Sequence, residues 1–489
     1  MSATDPVPGS RQKIVVLLLC CLAALHVFIY SAAFPFFNNV DEHAQFDLVE
    51  KYSHGEVPRG AEPLAPESVR YLLLYGSKEY RASTVPPPLW KQPAAVIDAS
   101  LAIDTPRWQR LINYESSQPP LYFAVVGSWW QVVQRFGVEG AHLLYCLRFL
   151  NMLVVAALVW TGYIAARLVF PENPLIRLGV PALLAFLPQS VFYSIQNDLL
   201  SPLCFGGLFV CLIKMFQADT LKIGWGAATG LMFAATFLTK MTNLPLLAVA
   251  AVIIAFKVRQ MVRDGKWREA LPALIAMAFC AGVPMEIWMT WSKSAFGDLL
   301  GSGVKVRMLG WTVKPFAEWW HHPIFSPSGF WIFFSGNVES FWRGEIVWHR
   351  QPLAFASTDL LYILLTVGLP VLAMFPHAAR STVQHRALWT GAGCCAASLV
   401  FLGLLSAIYD FHNCIYPSRE HPYFTSGRLM LGTLIPFLLL LVCGLDRAMK
   451  QLSPRAKAAL LVGFIVFMLA SEAAADLPAF SSQYNWFHL

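Results

Sequence analysis

The sequence predicts an all-α integral membrane protein with about eleven transmembrane helices and further helices lying along one membrane surface. Three observations predict it. Of 489 residues, 56% are hydrophobic and only 13% are charged, where a soluble globular chain carries about 25% charged residues. Apolar stretches long enough to cross about 30 Å of hydrocarbon recur along the whole chain. The Lys and Arg between them sort into alternate turns, as they do on the cytoplasmic side of a membrane. This composition excludes a water-soluble enzyme, a disordered chain and a nucleic-acid partner. The net charge of +7 belongs to basic loops.

The apolar stretches fall at about 14–37, 143–166, 178–195, 199–216, 223–239, 244–262, 270–291, 358–376, 387–409, 427–445 and 458–475. The first is longer than a signal-peptide core and has no small-residue cleavage site, so it reads as a retained anchor. A further stretch, 119–136, is short and holds Trp129-Trp130, Gln131 and Gln134. If it lies in the interface, the turns with Arg167/Arg177, Lys214/Lys222, Lys257 to Arg268, Arg380/Arg386 and Arg447 to Lys457 all fall on the cytoplasmic side. If it crosses, they all move outside. Charge therefore makes it interfacial, a setting that also suits paired tryptophans. The N-terminus is then cytoplasmic in a plasma (inner) membrane. Loops 38–142 and 292–357, the turns at Asn197-Asp198 and Lys240, and segment 410–428 then share the extracytoplasmic face. The chain reads as one polytopic unit, 1–489. Nine of its ten cysteines lie in apolar runs and Cys414 in a polar loop, so no disulfide framework is expected.

Directly after the first span stands Asn39-Val40-Asp41-Glu42-His43-Ala44-Gln45-Phe46-Asp47, with Phe46, Val49 and Tyr52 at helical spacing and Gly55 and Pro58 beyond. A surface helix is predicted. Asp41-Glu42 reads either as an N-cap with a first-turn acid or as a general base where the chain leaves the bilayer. In Tyr114-Glu115-Ser116-Ser117-Gln118-Pro119-Pro120-Leu121-Tyr122 the Pro-Pro pair starts a helix. Asn197-Asp198 is a turn or an ionisable site near the membrane. Lys240 is the lone cation of the outer turns, so it should have an anionic partner or else snorkel to headgroups. Arg428 opens a span after Thr425-Ser426-Gly427, and its guanidinium fork suits phosphate. Together Lys240 and Arg428 are candidates for a lipid phosphate. The aromatics of 292–357, Trp311 to Trp348, suit an interfacial belt or sugar stacking. His321-His322 with His43 and His54 match no metal-ligand spacing. No metal ligand is therefore assigned, and no cofactor is required beyond the option of a divalent ion.

Taken in order, Asp41 to Phe46, Gln118 to Tyr122, Arg148-Phe149-Leu150-Asn151, Asn197-Asp198, Thr239-Lys240 and Ser426-Gly427-Arg428 resemble the GT-C superfamily of polytopic glycosyltransferases. The series is similar to the protein O-mannosyltransferase and lipid A aminoarabinose transferase branch and to related bacterial membrane proteins. The resemblance implies transfer of a sugar from a polyprenyl-phosphate carrier to a glycan, lipid or protein acceptor outside the cytoplasm. It implies Asp41 as the carboxylate that deprotonates the acceptor and Glu42 as its neighbour in the motif. Asp198 is then the second acid near the donor, Lys240 and Arg428 meet the carrier phosphate, and Gln118 belongs to the substrate site. His43-Ala44-Gln45-Phe46 departs from the mannosyltransferase pattern, and sugar and acceptor stay open. Two alternatives are a lipid-linked-sugar flippase and a glycan ligase or polymerase. A flippase needs charged groups along a path through several spans, and the spans here read as nearly free of charge.

Overall fold

The computed structural model describes residues 10–82, 84–376 and 380–489, whose regular structure is almost entirely helical. α1 (Ser10–Ala33) is followed by α2 (Glu42–Ser53), α3 (Pro66–Tyr75), α4 (Ala94–Trp108) and α5 (Leu121–Arg135). Six apolar helices come next: α6 (Gly140–Val169), α7 (Pro174–Ala185), α8 (Leu200–Gln217), α9 (Ile223–Thr239), α10 (Leu244–Arg263) and α11 (Trp267–Phe296). The second long loop folds as α12 (Ser302–Met308), α13 (Phe316–Trp319) and α14 (Pro327–Arg343). The chain ends with α15 (Ala356–Met374), α16 (Thr382–Ile408), α17 (Leu434–Ala448) and α18 (Pro454–Phe480). Among the described residues extended structure amounts to two-residue pairs and isolated bridges; Thr312–Val313 lies antiparallel to Tyr409–Asp410 and ties the second loop to the segment before Arg428.

Among the described residues nine helices are long and apolar enough to cross a membrane, and the chain is a multi-pass membrane protein. The other two expected spans are the shorter apolar helices α7 and α9. α8 and α17 form the buried centre, with α17 enclosed from Leu434 to Gly444. α9 and α11 pack closely because Gly226 and Gly230 carry no side chain. A Cβ there would stand 2.1 Å from the Ala273 carbonyl and 2.3 Å from that of Met277, the small-residue contact that lets membrane helices approach.

Two spans end earlier than their apolar runs suggest. α1 stops at Ala33, before Pro35, and α7 stops at Ala185, before Pro188. A proline disfavours helix in the residue preceding it. After α7 the chain runs through residues 186–199 with only two short 3-10 turns, Ser190–Tyr193 and Asn197–Leu199. This irregular stretch is almost wholly buried. Backbone of that kind persists in a membrane protein only where other groups satisfy it.

α5 packs on α2, but its tryptophans are not lipid anchors. Trp130 is fully buried with its ring 5.7 Å from Phe46, and Trp129 Nε1 donates to the Cys146 carbonyl of α6 at 2.9 Å. The expectation of nearly charge-free spans also needs correction. Glu472 and Asp476 are buried in α18, and Glu472 pairs with His26 of α1 at 2.8 Å and accepts from the Tyr193 hydroxyl at 2.5 Å. Arg148 is buried in α6. Hydropathy averages over a window, so single charges that find partners in the fold escape it.

Candidate functional site

The polar residues that follow α1 build a frame for the irregular stretch. Glu42 is fully buried, and its two carboxylate oxygens take Arg148 Nε at 2.9 Å and Nη2 at 2.8 Å. The same carboxylate accepts the amides of Phe37 at 2.9 Å and Ile195 at 3.0 Å. Gln45 Oε1 accepts the Asn197 amide at 2.6 Å, and Gln196 Nε2 donates to the Val40 carbonyl at 2.5 Å. Asn151 donates to the carbonyls of Phe192 and Ser194 at 3.0 and 2.9 Å. Arg148 also donates to the Phe34 and Pro35 carbonyls, closing the end of α1. The Asp41–Phe46 and Arg148–Asn151 segments thus fix the backbone that presents Asp198.

Asp198 is 1% exposed and stands between two cations: Lys240 Nζ donates to it at 2.6 Å and Arg428 Nη1 at 3.1 Å. Arg428 is the hub. Its Nη2 donates to Asp41, its Nε to Glu345 at 3.0 Å, and the same Nε lies 3.2 Å from the Ser426 hydroxyl. Asp41 also accepts from the Tyr114 hydroxyl at 2.8 Å. Lys305 of α12 pairs with Glu115 at 2.5 Å and lies over the Tyr114 ring, 5.6 Å from its centre. Four carboxylates (Asp41, Asp198, Glu345, Glu115) therefore meet three cations (Arg428, Lys240, Lys305).

α14 places Arg428. Ser340 Oγ donates to the Thr425 carbonyl at 2.7 Å and accepts the Gly427 amide at 2.6 Å, and Asn337 donates to the Phe424 carbonyl at 2.8 Å. Gly427 leaves no room for more, since a Cβ would stand 2.0 Å from the Asn337 carbonyl.

Asp41 and Glu345 are the acids that solvent still reaches, their side chains 19% and 17% exposed against 1% for Asp198. Asp41 does not cap α2: its φ is +62° and its side chain makes no capping bond, so the N-cap reading is replaced by the contacts with Arg428 and Tyr114. Burial opposes its ionisation. The charges of Arg428 and Lys305 and the two hydrogen bonds outweigh burial and hold its carboxyl well below the usual carboxylate range. Burial raises Glu345 above that range, with Arg428 opposing. Tyr114 is pushed far up by burial and by Asp41, so it donates as a neutral phenol. Chemically the cluster offers an ionised, partly accessible carboxylate beside fixed cations.

Of the sequence candidates, Asp41, Asp198, Lys240 and Arg428 come together. Lys240 has the anionic partner its exceptional position implied, and Asn197-Asp198 is a buried turn rather than a surface one. Gln118 borders them, its Oε1 accepting from Asn197 Nδ2 at 3.4 Å. Glu42 faces the frame, not the cluster. Sequence reasoning missed Lys305 and Glu345, which sit in the aromatic-rich loop without any pattern, and gave Tyr114 and Glu115 no role beyond a segment leading to Pro119-Pro120. The histidines do not gather. His322 is buried between the Ile324 amide and the Pro422 carbonyl, and burial lowers its pKa to about 4. The acids of the cluster are engaged by its cations and offer no free ligand set for a metal. Among the described residues the group compact enough for one is Glu50, His54 and Glu67. Glu50 stands nine positions along the chain from Asp41, about 13 Å at 1.5 Å per residue.

No family model and no curated protein matches the chain. Solved structures are similar to it. One is ArnT from Cupriavidus metallidurans bound to undecaprenyl phosphate, at 14% identity and a TM-score of 0.45, covering 94% of this chain and 64% of that one. Another is the oligosaccharyltransferase of Archaeoglobus fulgidus in complex with zinc and sulfate, at 10% identity and 0.43, covering 94% and 53%. The chain spans less than two thirds of the length of either structure.

Proposed function

We propose that this chain is a membrane glycosyltransferase of GT-C type that moves a hexosyl or pentosyl group from a polyprenyl-phosphate carrier to an acceptor hydroxyl. The acceptor oxygen bonds to the anomeric carbon, the bond from that carbon to the phosphate oxygen breaks, and the acceptor proton passes to Asp41. Arg428, Lys240 and Lys305 supply the positive charge that the departing phosphate needs. The observation that carries this reading is the contact of Arg428 with both Asp41 and Asp198, which puts a base and a phosphate-binding fork side by side. An apolar groove of about 820 Å³ supports it. Phe330, Phe334 and Phe341 of α14, Pro370 of α15 and Met430 line the groove. Met430 stands two positions after Arg428 in the chain, and the groove's apolar lining suits a long isoprenoid tail.

The basic turns lie at the end of the bundle opposite this cluster, which by the positive-inside rule supports a site outside the cytoplasm and an N-terminus within. The test is mass spectrometry of envelope glycans and lipid-linked sugars in a deletion strain, paired with transfer by the purified chain in detergent. Loss of one sugar from a glycan, accumulation of its lipid-linked form, and release of polyprenyl phosphate in detergent are expected. A flippase has nothing to do in detergent, and a ligase or polymerase would leave a lipid-linked oligosaccharide. An unchanged glycan profile overturns the proposal.

A further inference from the structure

Away from the charged cluster, α2 and α3 are clipped together by polar contacts. Asp47 Oδ1 accepts the amide of Ala65, the residue before α3, at 2.7 Å, and Lys51 Nζ donates to the Pro63 carbonyl at 2.8 Å. This clip sets Glu67, in the first turn of α3, against the last turns of α2. There Glu50 and His54 stand four residues apart and so share one helix face. Their ligand atoms and a Glu67 carboxylate oxygen all lie within 4.8 Å of one another.

Glu50 is what local structure does not explain. It is 5% exposed, yet among the described residues its carboxylate accepts no hydrogen bond and its one ion-pair contact is His54 Nδ1 at 3.4 Å, inside the group. The nearest lysine is committed elsewhere: Lys51 holds Asp47 at 3.0 Å as well as the Pro63 carbonyl. Glu67 alone would pass as a first-turn acid favoured by the helix dipole, but the dipole of α3 does nothing for a buried acid at the far end of α2. Two carboxylates and an imidazole converging without a cation are a coordination set with its charge unanswered.

We propose that Glu50, His54 and Glu67 bind a divalent transition-metal ion, zinc being the probe of choice, which staples α2 to α3. An imidazole nitrogen with two carboxylates suits zinc or manganese, whereas calcium and magnesium prefer oxygen alone. The half-exposed ring of His54 leaves the ion a way in. The site stands apart from the proposed transfer reaction, so it holds or fails independently of that reading.

The test uses the full chain purified in detergent and stripped with a chelator. Zinc is added, excess ion is removed by gel filtration, and bound metal and the thermal unfolding midpoint are measured. We expect one zinc per chain and a higher midpoint. His54→Ala and Glu67→Gln change accessible side chains, so their metal-free midpoints should match the parent, while bound zinc and the upward shift are lost. His321→Ala, an exposed histidine of the other loop, should keep both. Absence of zinc from the parent chain, or equal zinc in all three variants, overturns the proposal.

Discussion

The guanidinium of Arg428 donates to the carboxylate of Asp41 across 387 positions of sequence. The contact keeps Asp41 ionised and, for the same reason, weakly basic. A general base works best with a pKa near the working pH, so under the proposed reaction Asp41 is held in reserve in this state. A phosphate arriving on Arg428 competes with the carboxylate for the same N–H groups. Once Arg428 turns to the phosphate, Asp41 recovers its affinity for a proton. Under the proposed reaction the base is switched on by the donor, and an acceptor that arrives alone meets a weak base.

Replacing Asp41 by Asn tests the base directly. Asn tolerates the positive φ that Asp41 adopts, and no capping bond is at stake. Expression should stay normal and donor binding should be at least as tight as in the parent, because a neutral amide competes less for Arg428, while turnover falls about 10²- to 10⁴-fold, the usual worth of a positioned base. Transfer assays at equal protein level decide it, and near-normal transfer by the variant would leave Asp41 a structural partner of Arg428.

Arg428→Lys keeps the charge but loses the fork that reaches Asp41, Asp198 and Glu345 at once. A lost hydrogen bond to a charged group costs about 1.5–3 kcal/mol, so binding of polyprenyl phosphate should weaken roughly 10- to 150-fold. Lys240→Met should weaken it to a similar extent. Titration of the lipid phosphate against the purified variants measures this, and unchanged affinity in both would reduce these cations to partners of Asp198.

Donor binding should depend on pH through Glu345. Its pKa is raised, chiefly by burial, so below that value it is neutral and releases Arg428 Nε, and above it the carboxylate competes with phosphate. Affinity for polyprenyl phosphate should therefore fall as pH rises through the raised pKa. Glu345→Gln should hold the tighter affinity across the range. A Glu345→Gln profile that falls like that of the parent chain would assign the titration to another group.

Glu42→Gln should act on stability. It removes one half of a buried ion pair and leaves Arg148 without its counter-charge, a change worth about 3–5 kcal/mol. We expect poor folding yield and a lowered unfolding midpoint in detergent, in contrast to Asp41→Asn one residue away. A Glu42→Gln chain that is as stable as the parent but inactive would move Glu42 into the chemistry.

What the sequence disclosed follows from how each signal arises. Spans are written in composition, so hydropathy located all nine long helices. It mistook the end of α7 because residues 186–195 are apolar enough for a span while their backbone is not helical. Lys240 was legible because it is the lone cation of its set of turns, and its partner Asp198 was legible as an acid between two spans. Glu42 beside Asp41 could not be assigned a role from spacing. One points into the frame and the other into the cluster, and only the αL turn at Asp41 separates their directions. Lys305 and Glu345 were invisible because ordinary charged residues in a long loop become site residues only when α12 and α14 dock.

The irregular stretch after α7 also bears on how the protein is made. The side chains that satisfy its backbone between Phe192 and Asn197 come from Glu42, Gln45 and Asn151, all upstream of it. A chain emerging from the ribosome therefore carries every one of those supports before it needs them, and this frame can set during synthesis. The charges are completed in the opposite sense. Asp198 meets Lys240 first, whereas Asp41 and Glu345 wait until the last eighth of translation for Arg428. A nascent chain thus acquires the shape of the site long before its electrostatics, and a protein truncated before residue 428 would hold the frame with Asp41 and Glu345 lacking the cation they share.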